Sequence, residues 1–128
     1  MFCLKGAKRM SYLTRDQILE ANDIPQEEVD VPEWGGTVLV RGLTGEERDD
    51  FEGEVVQMRG KETRMNLKNF RAKLVARTIV NEEGERIFSD SDVKALGKKS
   101  GLALQRVFEI AQRLSGLSDQ DVEELVKN

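Results

Sequence analysis

Apolar residues along this chain follow two different periods. Phe51, Val55 and Met58 stand at i, i+4 and i+7, and Leu67, Phe70 and Leu74, flanked by Val75 and Ile79, continue the same kind of stripe. Leu104, Val107, Phe108, Ala111 and Leu114 form the longest such series. This is the spacing of helices that bury one face. Nearer the N-terminus the period falls to two. Val29 and Val31 alternate with polar neighbours, as do Val38 and Val40, and Pro32-Glu33-Trp34-Gly35-Gly36 separates the two pairs. A proline and two glycines in so short a stretch make a turn, so the region reads as a β-hairpin over about residues 27–42. The remaining pattern predicts helices over about 45–59, 64–79, 90–96, 101–115 and 119–126. Asn81-Glu82-Glu83-Gly84-Glu85 is a turn between the apolar pairs Ile79-Val80 and Ile87-Phe88, a candidate second hairpin.

Helix boundaries are written in local chemistry. Thr14 with Gln17, Thr44 with Glu47, Ser89 with Asp92 and Ser118 with Asp121 each set a hydroxyl three residues before a side chain that can reach back to it. Such capping boxes satisfy two backbone N–H groups that the first turn leaves unpaired. Leu13 with Ile18, Phe88 with Val93 and Leu117 with Val122 add hydrophobic staples. The first box predicts a short helix over about 15–21. Gly60, Gly97 and Gly116 stand where helices end. The fold class is therefore mainly α with a small N-terminal β-hairpin (α+β), a compact helical domain. It is a single domain over 13–128, preceded by a disordered N-terminal segment over 1–12.

The 128 residues suffice for a core without disulfides or metals. Histidine is absent, which removes the usual general base at neutral pH and the commonest zinc ligand. Cys3 is the single cysteine, so neither an internal disulfide nor a thiolate cluster can form. No apolar run nears the roughly 20 residues of a membrane span. In the opening Met1-Phe2-Cys3-Leu4 the basic Lys5, Lys8 and Arg9 come after the apolar residues, the reverse of a secretory signal. The chain reads as cytoplasmic, with Met10 as an alternative start.

The net charge of −4 hides strong segregation: residues 1–15 carry +4, 16–54 carry −11, 55–78 carry +6 and 79–128 carry −3. The basic block is Arg59, Lys61, Arg64, Lys68, Arg71, Lys73 and Arg77. It can serve as a patch for nucleic acid or an acidic partner. It can equally neutralise the acidic block inside the same fold. Phe70 is the one aromatic residue in the block available for stacking on a single strand, and the whole chain is acidic, which weighs against nucleic acid. Trp34, at the hairpin tip, either contacts a partner or folds back over the hairpin.

Motifs of known chemistry fail on inspection. Gly60-Lys61 and Gly97-Lys98 have Val55 and Asp92 where a phosphate loop needs glycine, and Glu62 and Lys99 where it needs a hydroxyl. The adjacent acids Glu27-Glu28, Glu46-Glu47, Asp49-Asp50 and Glu123-Glu124 lie in polar stretches, where nothing would push their pKa values apart as catalysis requires. No catalytic, cofactor-binding or metal-binding residue is expected, and no cofactor.

Several phrases nevertheless carry a family resemblance: Tyr12-Leu13-Thr14-Arg15-Asp16-Gln17-Ile18-Leu19, then Val38-Leu39-Val40-Arg41-Gly42-Leu43-Thr44-Gly45-Glu46-Glu47-Arg48, then Arg71-Ala72-Lys73-Leu74-Val75-Ala76-Arg77. They continue with Phe88-Ser89-Asp90-Ser91-Asp92-Val93 and with the run from Leu104 to Ser118. In order and layout, over about residues 11–126, the chain resembles the tail assembly chaperones of long-tailed bacteriophages. The resemblance implies a non-enzymatic protein of the bacterial cytoplasm that binds the tape measure protein and aids recruitment of tail tube subunits. It implies absence from the mature virion. It implies a short form, with a longer frameshifted form contacting the major tail protein. The face bearing Arg64, Lys68 and Arg71, together with Trp34, is the expected partner-binding surface, with self-association through a hairpin edge or helix packing. No membrane partner is expected. The alternatives are a structural virion component such as a head–tail connector, and a small nucleic-acid-associated regulator.

Overall fold

In the computed structural model, residues 12–54 and 69–117 are described. Strands β1 (Gln26–Val31) and β2 (Gly36–Arg41) pair antiparallel, from Gln26 opposite Arg41 to Val31 opposite Gly36. Pro32–Trp34 form one 3-10 turn between them, and Gly35 closes it at φ 79°, a left-handed conformation that glycine adopts without steric cost. The hairpin expected over 27–42 is present, with Gly36 in the second strand rather than in the loop.

The sheet has a third strand. The helix expected over 64–79 appears in the described residues as α3 (Phe70–Thr78), which stops one residue early. Ile79 turns extended, and β3 (Ile79–Val80) pairs antiparallel with β2, Val40 facing Ile79 and Leu39 facing Val80. Two adjacent β-branched residues beside an open strand edge complete ladder hydrogen bonds that a further helical residue would leave unmade. The turn after β3 is organised by Asn81, whose side-chain oxygen accepts from the backbone N–H of Glu83 and of Glu85. The second hairpin amounts to a single bridge, Val80 to Arg86. Strand order is β1-β2-β3, and among the described residues no strand pairs with the outer edge of β1, where Glu28 and Asp30 are exposed.

Val29, Val31, Val40 and Ile79 turn the buried face of the sheet toward the helices. Helix α1 (Arg15–Glu20) precedes the sheet; α2, helical over 45–54, follows it. Asp90–Asp92 form a 3-10 turn leading into α4 (Val93–Leu96), and α5 spans Gly101–Leu114. Together the last two elements match the helices expected over 90–96 and 101–115. Three rings run through the helical layer: Phe51 of α2 lies 5.4 Å from Phe70 of α3, which lies 5.7 Å from Phe108 of α5. All three are buried, and ring pairs at these separations add to the free energy of burial.

Helix α5 is fixed at both ends. Ser100 caps its start, accepting from the Ala103 N–H at 3.2 Å. At its end Gly116 takes φ 76°, its N–H donates to the Arg113 carbonyl, and the Leu117 N–H donates to the Gln112 carbonyl at 3.0 Å. That is a Schellman cap, completed by the burial of Leu117. The capped end abuts the corner between β2 and α2. The Leu43 N–H donates to Ser115 Oγ at 3.0 Å, and a β-carbon on Gly42 would run into the Leu114 carbonyl. Only glycine permits this approach.

Helix α1 stands apart. Its capping box forms as expected, but the helix ends at Glu20, and no residue in it is buried. Leu13 and Ile18, the expected staple pair, remain 70% and 56% exposed. Residues 1–11 of the expected N-terminal segment, the later part of the helix expected over 45–59, the start of that over 64–79, the helix over 119–126 and the Ser118 box lie outside the described residues.

Candidate partner-binding surface

The basic block divides in the folded chain. Arg77 is buried, and its Nη2 donates to both carboxylate oxygens of Glu54 at 2.8 and 2.7 Å; Lys73 Nζ lies 3.1 Å from the same group. Burial works to raise the Glu54 pKa, but the hydrogen bonds from Arg77 and Lys73 outweigh it and hold the carboxyl below its ordinary value. Asp90 is lowered chiefly by its hydrogen bond from Arg86, with Arg77 3.9 Å away. Two cations of the block thus neutralise the last acid of the acidic segment. Arg71 is different: it is exposed, donates to Gln105 Oε1, and sets its guanidinium 5.6 Å from the centre of the Phe108 ring. Arg64 and Lys68 lie outside the described residues.

Of the two expectations for Trp34, folding back is the one the structure shows. It packs against the margin of the core with its indole Nε1 buried and without a hydrogen-bond partner among the described residues, and it also lines an open groove of about 580 Å³. Ile87, Phe88, Ala95 and Leu96 complete the apolar lining; Glu33, Asp92 and Lys99 supply charge. Glu33 is held by Arg106 through bonds of 2.6 and 3.0 Å, which lower the pKa of the acid and raise that of the base. Arg71 lines a separate hollow of about 230 Å³ with Leu104, Gln105 and Lys99. The two described candidates therefore do not share a cavity; Lys99 borders both.

A cationic feature outside the predicted block emerges at α4. Arg15, Arg41, Arg48, Lys73, Arg77, Arg86, Arg106 and Arg113 each have an acid partner. Lys94, Lys98 and Lys99 are exposed and have none among the described residues. Their signal in the sequence is three lysines in six positions with no acid between them. It is weaker than that of the seven cations of the block at 59–77.

A small α+β domain presenting an open groove with an apolar lining and a charged rim has the build of a binding protein. The chain belongs to the phage tail assembly chaperone family, whose model matches residues 14–128. Its fold is similar to that of the bacteriophage HK97 tail assembly chaperone, with a TM-score of 0.57 and 22% identity, covering 77% of this chain and 94% of that one. No curated protein sequence matches it. Membership implies a non-enzymatic role in tail assembly. Among the described residues no helix is long and apolar enough to cross a membrane, and no group of three or more histidine, cysteine or acidic residues could hold a metal ion.

Proposed function

We propose that this tail assembly chaperone binds the tape measure protein in the cytoplasm of the bacterial host, during infection or prophage induction. It keeps the helical segments of that protein from aggregating and aids recruitment of tail tube subunits. A longer frameshifted form contacts the major tail protein, and neither form remains in the mature virion. The observation that carries this reading is the family match over nearly the whole chain. An open apolar groove in a highly charged surface supports it, since that combination can cover an exposed amphipathic helix while staying in solution. Arg64, Lys68, Arg71 and Trp34 are the proposed partner-binding residues.

Co-expression with the tape measure protein encoded beside this gene tests the reading. The expected result is co-purification and a soluble tape measure protein, both lost without the chaperone. Detection of the chain in purified particles would favour a structural virion component instead. Reversing the charges of Arg64, Lys68 and Arg71 together is expected to weaken co-purification; an unchanged yield would remove that face from the interface.

A further inference from the structure

We infer that the groove between the Trp34 turn and α4 binds an acidic amphipathic helix of a partner protein. The helix would lay its apolar side chains on Trp34, Ile87 and Leu96 and turn carboxylates toward Lys94, Lys98 and Lys99. This deepens the tape-measure reading by naming the chemistry of the bound segment, and it rests on that reading only for the identity of the partner.

Three observations converge on it. The first is the lining. Ile87 is 52% exposed although it belongs to an apolar pair, and Trp34 is only half-buried, so the groove leaves apolar surface uncovered. The second is charge. Among the described residues, eight cations are satisfied by acids within the fold. Of the other four, Arg71 is held by Gln105 and the Phe108 ring, and the three lysines belong to α4 and the turn following it, with Lys99 on the groove itself. On the groove Glu33 is neutralised by Arg106, and three lysines without an acid partner among the described residues stand on or next in sequence to its lining against the one acid Asp92. That balance is complementary to a segment that is apolar on one face and acidic on its flanks. The third is shape. The groove is walled by a 3-10 turn and a helix and offers no free strand edge, so an occupant must bring its backbone hydrogen bonds already made. A helix does so, and an extended peptide does not. Nucleic acid fits less well: a mostly apolar lining with one lysine gives a phosphate backbone little to hold.

Trp34 is the sole tryptophan, so the full chain reports on its own groove by fluorescence. The probes are two synthetic helices of about 18 residues, long enough to be helical in water, with leucines at i, i+3, i+4 and i+7. One carries glutamates at the remaining positions, and its twin carries lysines. The glutamate helix is expected to change the Trp34 emission and to bind at least about tenfold more tightly than its twin at low salt. The variant Lys94→Glu/Lys98→Glu/Lys99→Glu is expected to reverse that preference while keeping its circular dichroism. Equal binding of the twins, no response to either, an unreversed preference, or displacement of the glutamate helix by single-stranded DNA would overturn the inference. Co-expression separates the two readings. If the triple variant retains the tape measure protein undiminished, the groove assignment fails and the chaperone reading stands. If the unaltered chain prefers the glutamate helix but does not retain the tape measure protein, only the named partner is wrong.

Discussion

Two helices in this molecule open with the same local device and end in different circumstances. At α1 the Thr14 N–H donates to Gln17 Oε1 at 2.9 Å and the Gln17 N–H returns to Thr14 Oγ1 at 3.2 Å. At α2 the Thr44 N–H donates to Glu47 Oε1 at 2.9 Å and the Glu47 N–H returns to Thr44 Oγ1 at 3.1 Å. The boxes are nearly superimposable in their distances. Yet α1 buries nothing, whereas α2 buries Phe51 completely, and its Glu47 is also gripped by both terminal nitrogens of Arg41 on β2 at 2.8 Å. A capping box states where a helix starts. Whether the helix matters to the fold depends on what its other residues meet.

Three substitutions or conditions probe that difference, in descending order of effect. Gly42→Ala, just before the α2 box, would push a methyl group into the Leu114 carbonyl and force α5 away from the corner. A loss of about 3 kcal/mol is expected, read as a lower urea midpoint. A stability equal to the parent would mean that the corner is looser than described.

Acid comes second. The Arg41 hydrogen bonds lower the Glu47 pKa from 4.5 to about 2, with burial opposing and the Thr44 N–H assisting. A carboxylate whose pKa is depressed in the folded state stabilises fully above its unfolded value, and that stability is lost as pH falls from about 4.5 toward 2. The lowered Glu54 and Asp90 act in the same direction. About 2 kcal/mol should be lost over this window through Glu47, allowing for its partial exposure. Unfolding curves of Glu47→Gln should show a shallower dependence on pH there; parallel curves would remove Glu47 as a source.

Thr14→Ala comes last. Breaking the α1 box costs a helix about 1 kcal/mol locally, but because α1 buries nothing the global unfolding midpoint should shift by less than about 0.5 kcal/mol. Faster amide exchange over residues 15–20 with an unchanged midpoint is the expected signature. A midpoint that falls with it would show that α1 is anchored after all.

The parts legible in the sequence were those fixed by near neighbours. The boxes at Thr14 and Thr44, the glycine that ends α5 and the turn opened by Pro32 are all chemistry within a few residues, and each stands where its pattern placed it, save that Gly36 joins β2. The α5 stripe was legible because five apolar positions in one period leave little else to form. Non-local facts were hidden. Ile79 and Val80 continue a helical stripe in sequence and are claimed by β2 only because the fold brings that edge alongside. Nothing in the run from Tyr12 to Leu19 says that its apolar side would go uncovered. The candidate site was half legible. Trp34 stood out as a lone large aromatic at a turn, and Arg71 as part of a dense block. That Lys73 and Arg77 are spent on Glu54, while Lys94 on α4 and Lys98 and Lys99 after it have no acid partner among the described residues, is a fact of pairing across the fold.

The outer edge of β1 gives the molecule a social property. Laid against a second copy, it would bring Glu28 and Asp30 close to the same residues of its neighbour, and like charges so placed push the strands apart. Among the described residues the molecule thus carries an open strand whose charges oppose pairing with a second copy, which leaves helix packing as the easier route to the self-association expected from the sequence.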